Sequence, residues 1–383
     1  MPSSFGNALR VSVFGQSHSA SIGCVVEGLP SGFKVDQGAL AAFMARRAPG
    51  QGRWTTPRKE SDTPRFLSGL NPAGATCGAP LCISIDNSNQ RPQDYEELRR
   101  IPRPGHADLG AQAKWGGSQD VAGGGHFSGR LTAPLCAAGG IAAQMLDKRG
   151  VRVAAHLLSV GEAQDQPFSA LDMDPPSRAE LARQMEALAQ GGPFPTIGKA
   201  AGRQMLEAIE AAHQDLDSVG GVIECVVTGL PAGIGSPIFD GLENLIARAC
   251  LGIPGVKGIE FGRGFEASRL RGSQNNDAWQ VDGGRICPVT NNAGGSLGGI
   301  STGAPVLFRL AVKPTPSIAR AQQSVDLELM RNCPLEVRGR HDPCIAPRAV
   351  PVAEAMAALC ALDAWLSFAP EGHPFSLSEE RDG

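Results

Sequence analysis

One nine-residue phrase occurs twice in this chain. Residues 24–32 read CVVEGLPSG and residues 225–233 read CVVTGLPAG, identical at seven of nine positions. Each copy is a β-branched, apolar run that ends in a Gly-Leu-Pro turn. Each is followed by a helix-like segment: Gln37–Arg47, with Leu40, Phe43 and Met44 on one face, and a second around 239–250. A chain that repeats strand, turn and helix at this distance is built from two related halves. The expected arrangement is a single domain over 1–373, with halves at about 5–200 and 201–370, and a disordered tail at 374–383. The repeat itself is scaffold, not chemistry.

Composition narrows the class. Hydrophobic residues make up 42% of 383 positions, enough for a large core, and the net charge of -3 favours neither nucleic acid nor a membrane surface. No apolar stretch reads as a membrane span, and 1–11 lacks a signal-peptide core. Ten cysteines show no CxxC spacing, and several, such as Cys24 and Cys225, sit in apolar runs. Buried free thiols in a reducing cytoplasm are therefore expected. The segment GGPFPTIGKA superficially resembles a P-loop. Five residues rather than four separate Gly192 from Gly198, and Ala200 replaces the hydroxyl residue that would hold magnesium, so a P-loop is rejected.

Candidate chemistry lies elsewhere. His18 sits on a polar turn between the β-type runs 11–14 and 22–26. Residues 46–65 gather Arg46, Arg47, Arg53, Arg58, Lys59 and Arg65 against only Glu60 and Asp62. Pro49, Gly50 and Gly52 place those cations on a turn, where forked guanidiniums can grip phosphate or carboxylate. The stretch 99–134 holds Arg103, His106, Gly123-Gly124-Gly125, His126 and Arg130, and reads as a long functional loop without secondary structure. It runs into an Ala-rich buried helix, whose N-terminus favours anions. Residues 291–305 form a second glycine platform, and Lys313, Thr315 and Ser317 follow a strand, as either a phosphate cradle or an ordinary β-turn. Arg340, His341 and Asp342 precede an amphipathic helix at 352–366, with Val352, Met356, Leu359 and Leu366 on one face.

Taken together, FGQSHSASIGCVVEGLP, RRAPGQGR, RPGHAD with GGGHFSGR, NNAGGSLGGISTG, KPTPS and RHDPC resemble, in order and spacing, the chorismate synthase family over roughly residues 5–370. The resemblance implies an α+β fold, a β-α-β sandwich with helices layered between antiparallel sheets in two duplicated halves. It implies a carbon–oxygen lyase that converts 5-enolpyruvylshikimate 3-phosphate to chorismate and phosphate by anti 1,4-elimination. The implied cofactor is reduced FMN, and the implied assembly is a homotetramer.

Carried onto this sequence, the resemblance implies Arg47, Arg53, Arg103, Arg130 and Arg340 as the clamp for the anionic substrate. His126, Phe127, Ser128, Gly298, Lys313, Pro314, Thr315, Pro316, Ser317 and Arg340 would contact the flavin. His18 would protonate the departing phosphate, His106 would donate to the reduced flavin, and Asp342 would help remove the C6 proton. Two departures stand out. Gln16 and Ser19 replace Glu and Gly of many members, and His126-Phe127 replaces the Arg-Ser of a common GGGRSSAR form, so flavin contacts at that loop are expected to differ. No GxGxxG fingerprint is present, so an external source of reduced flavin is expected. The alternative from the same residues is an FMN-binding relative with lost or altered catalysis. A nucleic-acid module is disfavoured because only Trp54 interleaves the basic run.

Overall fold

The computed structural model describes residues 3–50, 62–87, 97–192, 194–337 and 342–377. Arg53, Arg340 and His341 lie outside the described residues, as does 378–383 of the expected tail. Two five-stranded antiparallel sheets enclose a double tier of helices. The first sheet contains β1 (Ser4–Phe5), β2 (Arg10–Gly15), β3 (Ser21–Glu27), β4 (Arg65–Ser68) and β5 (Leu81–Asp86), in the order β1-β2-β3-β5-β4. The second contains β6 (Arg152–Val160), β7 (Ala163–Gln164), β8 (Gly221–Thr228) and β9 (Val256–Phe261). It is completed, after hairpins β10–β11 (Trp279–Asp282, Arg285–Pro288) and β12–β13 (Ser296–Leu297, Ile300–Ser301), by β14 (Val306–Val312). Its order is β7-β6-β8-β14-β9. A last hairpin joins β15 (Gln322–Asp326) to β16 (Arg331–Leu335).

The helices are α1 (Gln37–Arg47), α2 (Asp108–Trp115), α3 (Thr132–Asp147), α4 (Pro175–Ala189), α5 (Lys199–Gln214), α6 (Leu242–Cys250), α7 (Gly272–Asn275) and α8 (Ala346–Ser367). Each copy of the repeated phrase enters a central strand, β3 or β8, and leads through its Gly-Leu-Pro turn to α1 or α6. The path β2-β3-α1-β4-β5-α3 has the same order as β6-β8-α6-β9-β14-α8, and the two sheets are wired alike. β6 already pairs with β8, so the boundary between the sheets falls at 148–151 and not near residue 200. The segment carrying α4 and α5 is an insertion between β6 and β8. Its apolar face, with Phe168 and Leu181, covers the outer side of the second sheet.

Local chemistry accounts for the element ends. Asp36 caps α1 by accepting from the Ala39 amide at 2.9 Å. Asp174 caps α4, whose first residues are Pro175 and Pro176. Small residues along α3 let it press against α8 in the central layer.

α8 corrects two expectations. It spans 22 residues, begins six residues before the expected helix, and is buried all round rather than amphipathic. Its composition and length would suit a membrane span, yet 94% of its apolar window is buried within the protein. Its two acids bridge the halves. Glu354 pairs with Arg46 at 2.6 Å and accepts from the Ala155 amide, while Asp363 accepts from the amides of Asn7 and Leu9. Buried carboxylates that are fully hydrogen-bonded make such a helix compatible with a core.

The stretch 99–134 also departs from expectation. It holds α2 and two 3-10 turns, because residues 108–115 contain no Pro and end on Gly116 in the left-handed region at φ 58°. The cysteines at 24, 136, 225, 250, 344 and 360 are buried and free.

Candidate active site

A cavity of about 370 Å³ opens where the turn after α2, the N-terminus of α3, the segment after β14 and the N-terminus of α8 converge. Its wall carries Arg47, Arg103, His106, Phe127, Ser128, Arg130, Lys313, Thr315, Pro316, Ser317 and Asp342 from the expected set. Ile253, Ile345 and Val352 supply an apolar side. The loops thus bring together residues from across the chain, with one cationic and one apolar wall.

The cationic wall is built on an acid that sequence reasoning assigned no role. Asp62 accepts from both Arg47 Nη1 and Arg130 Nη1, and its carboxylate is fully buried. Arg47 also donates from Nε to Thr132 Oγ1 at 3.0 Å, and Arg130 from Nε to Asn87 Oδ1 at 2.9 Å. Burial raises the Asp62 carboxyl, but Arg47 and Arg130 together outweigh it and hold it below the usual carboxylate range. Burial lowers the Arg47 guanidinium against the pull of Asp62. Two arginines sharing one carboxylate leave a net positive charge beside the cavity.

A second cluster surrounds His106. Asp108, in the first turn of α2, accepts from Arg103 Nε at 2.7 Å and from Arg103 Nη2 at 2.9 Å. Its Oδ1 lies 2.6 Å from His106 Nδ1. Arg103 also donates from Nη1 to Ser317 Oγ at 3.2 Å. Arg103 is therefore held by the protein as well as facing the cavity. Burial raises the Asp108 carboxyl, and the bonds from Arg103 and His106 overcome this and push it far below the usual range. On the opposite side Arg348, in the first turn of α8, donates from Nη1 to Asp342 Oδ2 at 2.6 Å and from Nε to the Arg47 carbonyl at 3.1 Å.

Four expected site residues stand apart from the cavity wall. His18 and Ser17 pack against Gly123, which lines the cavity, but do not line it themselves. His126 points to the first sheet, with Nδ1 2.7 Å from the Gly15 carbonyl and Nε2 2.7 Å from Ser3 Oγ. Both ring nitrogens are thus engaged away from the cavity, and its neighbour Phe127 reaches the wall instead, against Trp115 at 5.8 Å. Gly298 occupies the β12–β13 turn and Pro314 is exposed, both off the wall.

Asp62, Asp108 and Arg348 were not expected in the site. Asp108 had a signal in the His-x-Asp spacing of RPGHAD; Arg348 had one only once α8 was known to start at 346.

Fold and cavity define an α+β protein that sets several arginines beside a histidine and an aspartate in one cavity. The comparisons give the family. The chorismate synthase family model matches residues 9–366. The chain is 48% identical to chorismate synthase of Lancefieldella parvula, over 97% of this chain and 98% of that protein. It is 43% identical to chorismate synthase of Korarchaeum cryptofilum, over 94% and 96%. A solved crystal structure of chorismate synthase superposes with a TM-score of 0.73 at 25% identity, covering 97% of this chain and 95% of that one. The chain belongs to the chorismate synthase family.

Proposed function

We propose that this chain forms chorismate, eliminating phosphate from 5-enolpyruvylshikimate 3-phosphate in the shikimate pathway with reduced FMN as cofactor. The observation that carries the reading is the meeting of Arg47, Arg103, His106, Arg130 and Asp342 on one cavity wall. A substrate with one phosphate and two carboxylates needs several guanidiniums, and a buried, pre-positioned set loses little freedom on binding.

The residues present fit a flavin phosphate. Thr315 Oγ1 is buried with no hydrogen-bond partner among the described residues, and Lys313 and Ser317 line the same wall. Lys313, Thr315 and Ser317 would hold the phosphate, and Phe127 offers a ring face. Reduced FMN supplies transient electron density for C–O cleavage, chemistry no side chain offers.

The protein's own groups do the rest. The arginines bind and orient the substrate, which brings its C6 hydrogen to Asp342. Asp342, held by Arg348, takes the C6 proton. His18, reached past Gly123, protonates the leaving phosphate as its charge grows. His106 exchanges a proton at the cavity. Reduced flavin comes from an external source, and the active assembly is a homotetramer in the cytoplasm.

The test is anaerobic turnover with chemically reduced FMN, following chorismate absorbance and phosphate release together. His106→Ala and Asp342→Ala should each lower turnover at least about a hundredfold, the scale of positioned acid–base groups. Near-normal rates in both variants overturn the roles. Binding of FMN and substrate without turnover in the unaltered protein would favour the catalytically silent alternative. Reduction of FMN by NADPH with the pure protein alone would overturn the external source.

A further inference from the structure

We infer that Asp108 is a positioning residue that fixes the proton of His106 on Nδ1 and so makes Nε2 the one ring nitrogen that exchanges protons with the cavity. The inference rests on the reading of His106 as the residue that serves the cofactor, and it adds the device that sets its chemistry.

The geometry is specific. His106 Nδ1 lies 2.6 Å from Asp108 Oδ1 and 3.1 Å from Arg103 Nη2. One ring nitrogen cannot donate to the carboxylate and accept from the guanidinium at once. A lone pair on Nδ1 would face an anionic oxygen at 2.6 Å, which is repulsive, whereas an Nδ1–H makes a short charge-assisted bond. Arg103 is already satisfied on Asp108, through Nε at 2.7 Å and Nη2 at 2.9 Å, and Asp108 accepts from the Arg103 amide as well at 3.1 Å. The carboxylate is therefore locked by three donors of Arg103 and has one orientation to offer the imidazole. It is nearly buried, so water does not compete for it.

The other ring edge has no such anchor. No described residue hydrogen-bonds His106 Nε2, the ring lines the cavity, and the turn beside that nitrogen is glycine: a Cβ at Gly124 would stand 3.2 Å from it. Gly124 has φ 84°, a conformation glycine adopts without strain. The same Arg103 reaches Ser317, so one chain of contacts, Ser317–Arg103–Asp108–His106, ties the phosphate cradle to the imidazole. Asp108 acts through His106 and does not itself line the cavity.

Asp108→Asn reverses the preference in a definite direction. Two Arg103 donors, the amide and Nε, face Oδ2 against one, Nη2, on Oδ1, so the Asn oxygen takes the Oδ2 place and only the Nη2 bond is lost. The amide NH2 then faces His106 and donates to Nδ1, moving the ring proton to Nε2.

The experiment is 15N NMR of the whole enzyme labelled at histidine, with His106 assigned by its loss in His106→Ala, together with turnover of each variant. The expected result is an Nδ1–H tautomer for neutral His106 in the unaltered protein and an Nε2–H tautomer in Asp108→Asn. kcat should fall about a hundredfold with KM for the substrate changed only severalfold. An Nε2–H tautomer in the unaltered protein overturns the inference, as does an Asp108→Asn variant that keeps both tautomer and kcat. Should Asp108→Asn fail to fold, the spectrum of the unaltered protein alone decides. Full turnover in His106→Ala would instead overturn the role of His106, while the tautomer measurement stays valid on its own.

Discussion

Gly139 of α3 lies directly on Ala355 of α8: a Cβ built at position 139 would stand 2.4 Å from Ala355 Cβ and 2.5 Å from its Cα. This is where the two equivalent helices of the halves touch. Helix propensity alone would favour Gly139→Ala by about 1 kcal/mol. The neighbour is backbone of a fully buried helix and cannot yield, so overpacking of about 1–3 kcal/mol opposes it. Gly139→Ala should therefore lower the urea midpoint with an unchanged m-value. A raised midpoint would mean that α8 moves aside freely.

Asp62 gives an acid-stability prediction. Its folded value is held below the ordinary 3.8 by Arg47 and Arg130, against burial. Its stabilisation is complete above 3.8 and is lost as pH falls through the lower folded value. Asp62→Asn leaves two buried guanidiniums sharing no charge, which should cost about 3–5 kcal/mol at pH 7. The gap between variant and unaltered protein in denaturant titrations should begin to narrow below about pH 4, the ordinary carboxylate range, and keep narrowing as the pH falls further. A gap that stays constant throughout the acid limb would assign the loss to shape rather than charge.

His156 should act in the opposite direction. It is fully buried, with Nε2 3.2 Å from Glu224 Oε2 and Nδ1 3.4 Å from Asp165 Oδ2, and its ring stands edge-on to Phe168 at 4.6 Å. Burial lowers its value, but the two carboxylates outweigh burial and raise it above the ordinary 6.5. A raised folded value means the stabilisation is present below 6.5 and is lost as pH rises through the folded value. His156→Gln should thus be about 3 kcal/mol less stable at pH 6, the scale of a broken buried pair. Thermal melts should show that deficit shrinking as the buffer becomes alkaline. A constant deficit across that range would show that the buried ring carries no charge.

The sequence carried the fold well where local pattern and tertiary need agree. Strands around Cys24 and Cys225, the helix at Gln37–Arg47 and strand β14 with the turn after it all have a period or a turn that declares them. The equivalence of the two halves was legible in the repeated phrase, although their boundary was not, because β6 has no motif and only its pairing with β8 assigns it. α8 was misread because burial on every side erases the amphipathic signal by which a helix is bounded. Of the cavity wall, His106, Arg47, Arg103 and Arg130 were legible in their motifs. It was not legible in Asp62, Asp108 or Arg348, whose parts depend on which side chain lies opposite them. His126 illustrates the converse: its motif position is right, but two hydrogen bonds to the first sheet turn its ring from the cavity.

Gly123 lines the cavity with His18 packed directly against it, and there is no room there for a side chain. It has φ 61°, where an L-residue costs about 1 kcal/mol, and a Cβ there would stand 2.4 Å from both Ser17 Oγ and His18 Cε1. Ser17 is itself buried and has no room to withdraw, so the half-buried His18 ring must give way. Gly123→Ala should lose about 1–2 kcal/mol of stability, and its turnover should fall at least tenfold because His18 is displaced. Gly110→Ala is the control: position 110 lies in α2, a Cβ there meets nothing within 4 Å, and activity should be unchanged. Measured side by side, equal activities for the two variants would remove His18 from the reaction, whereas loss confined to Gly123→Ala would place it within reach of the substrate.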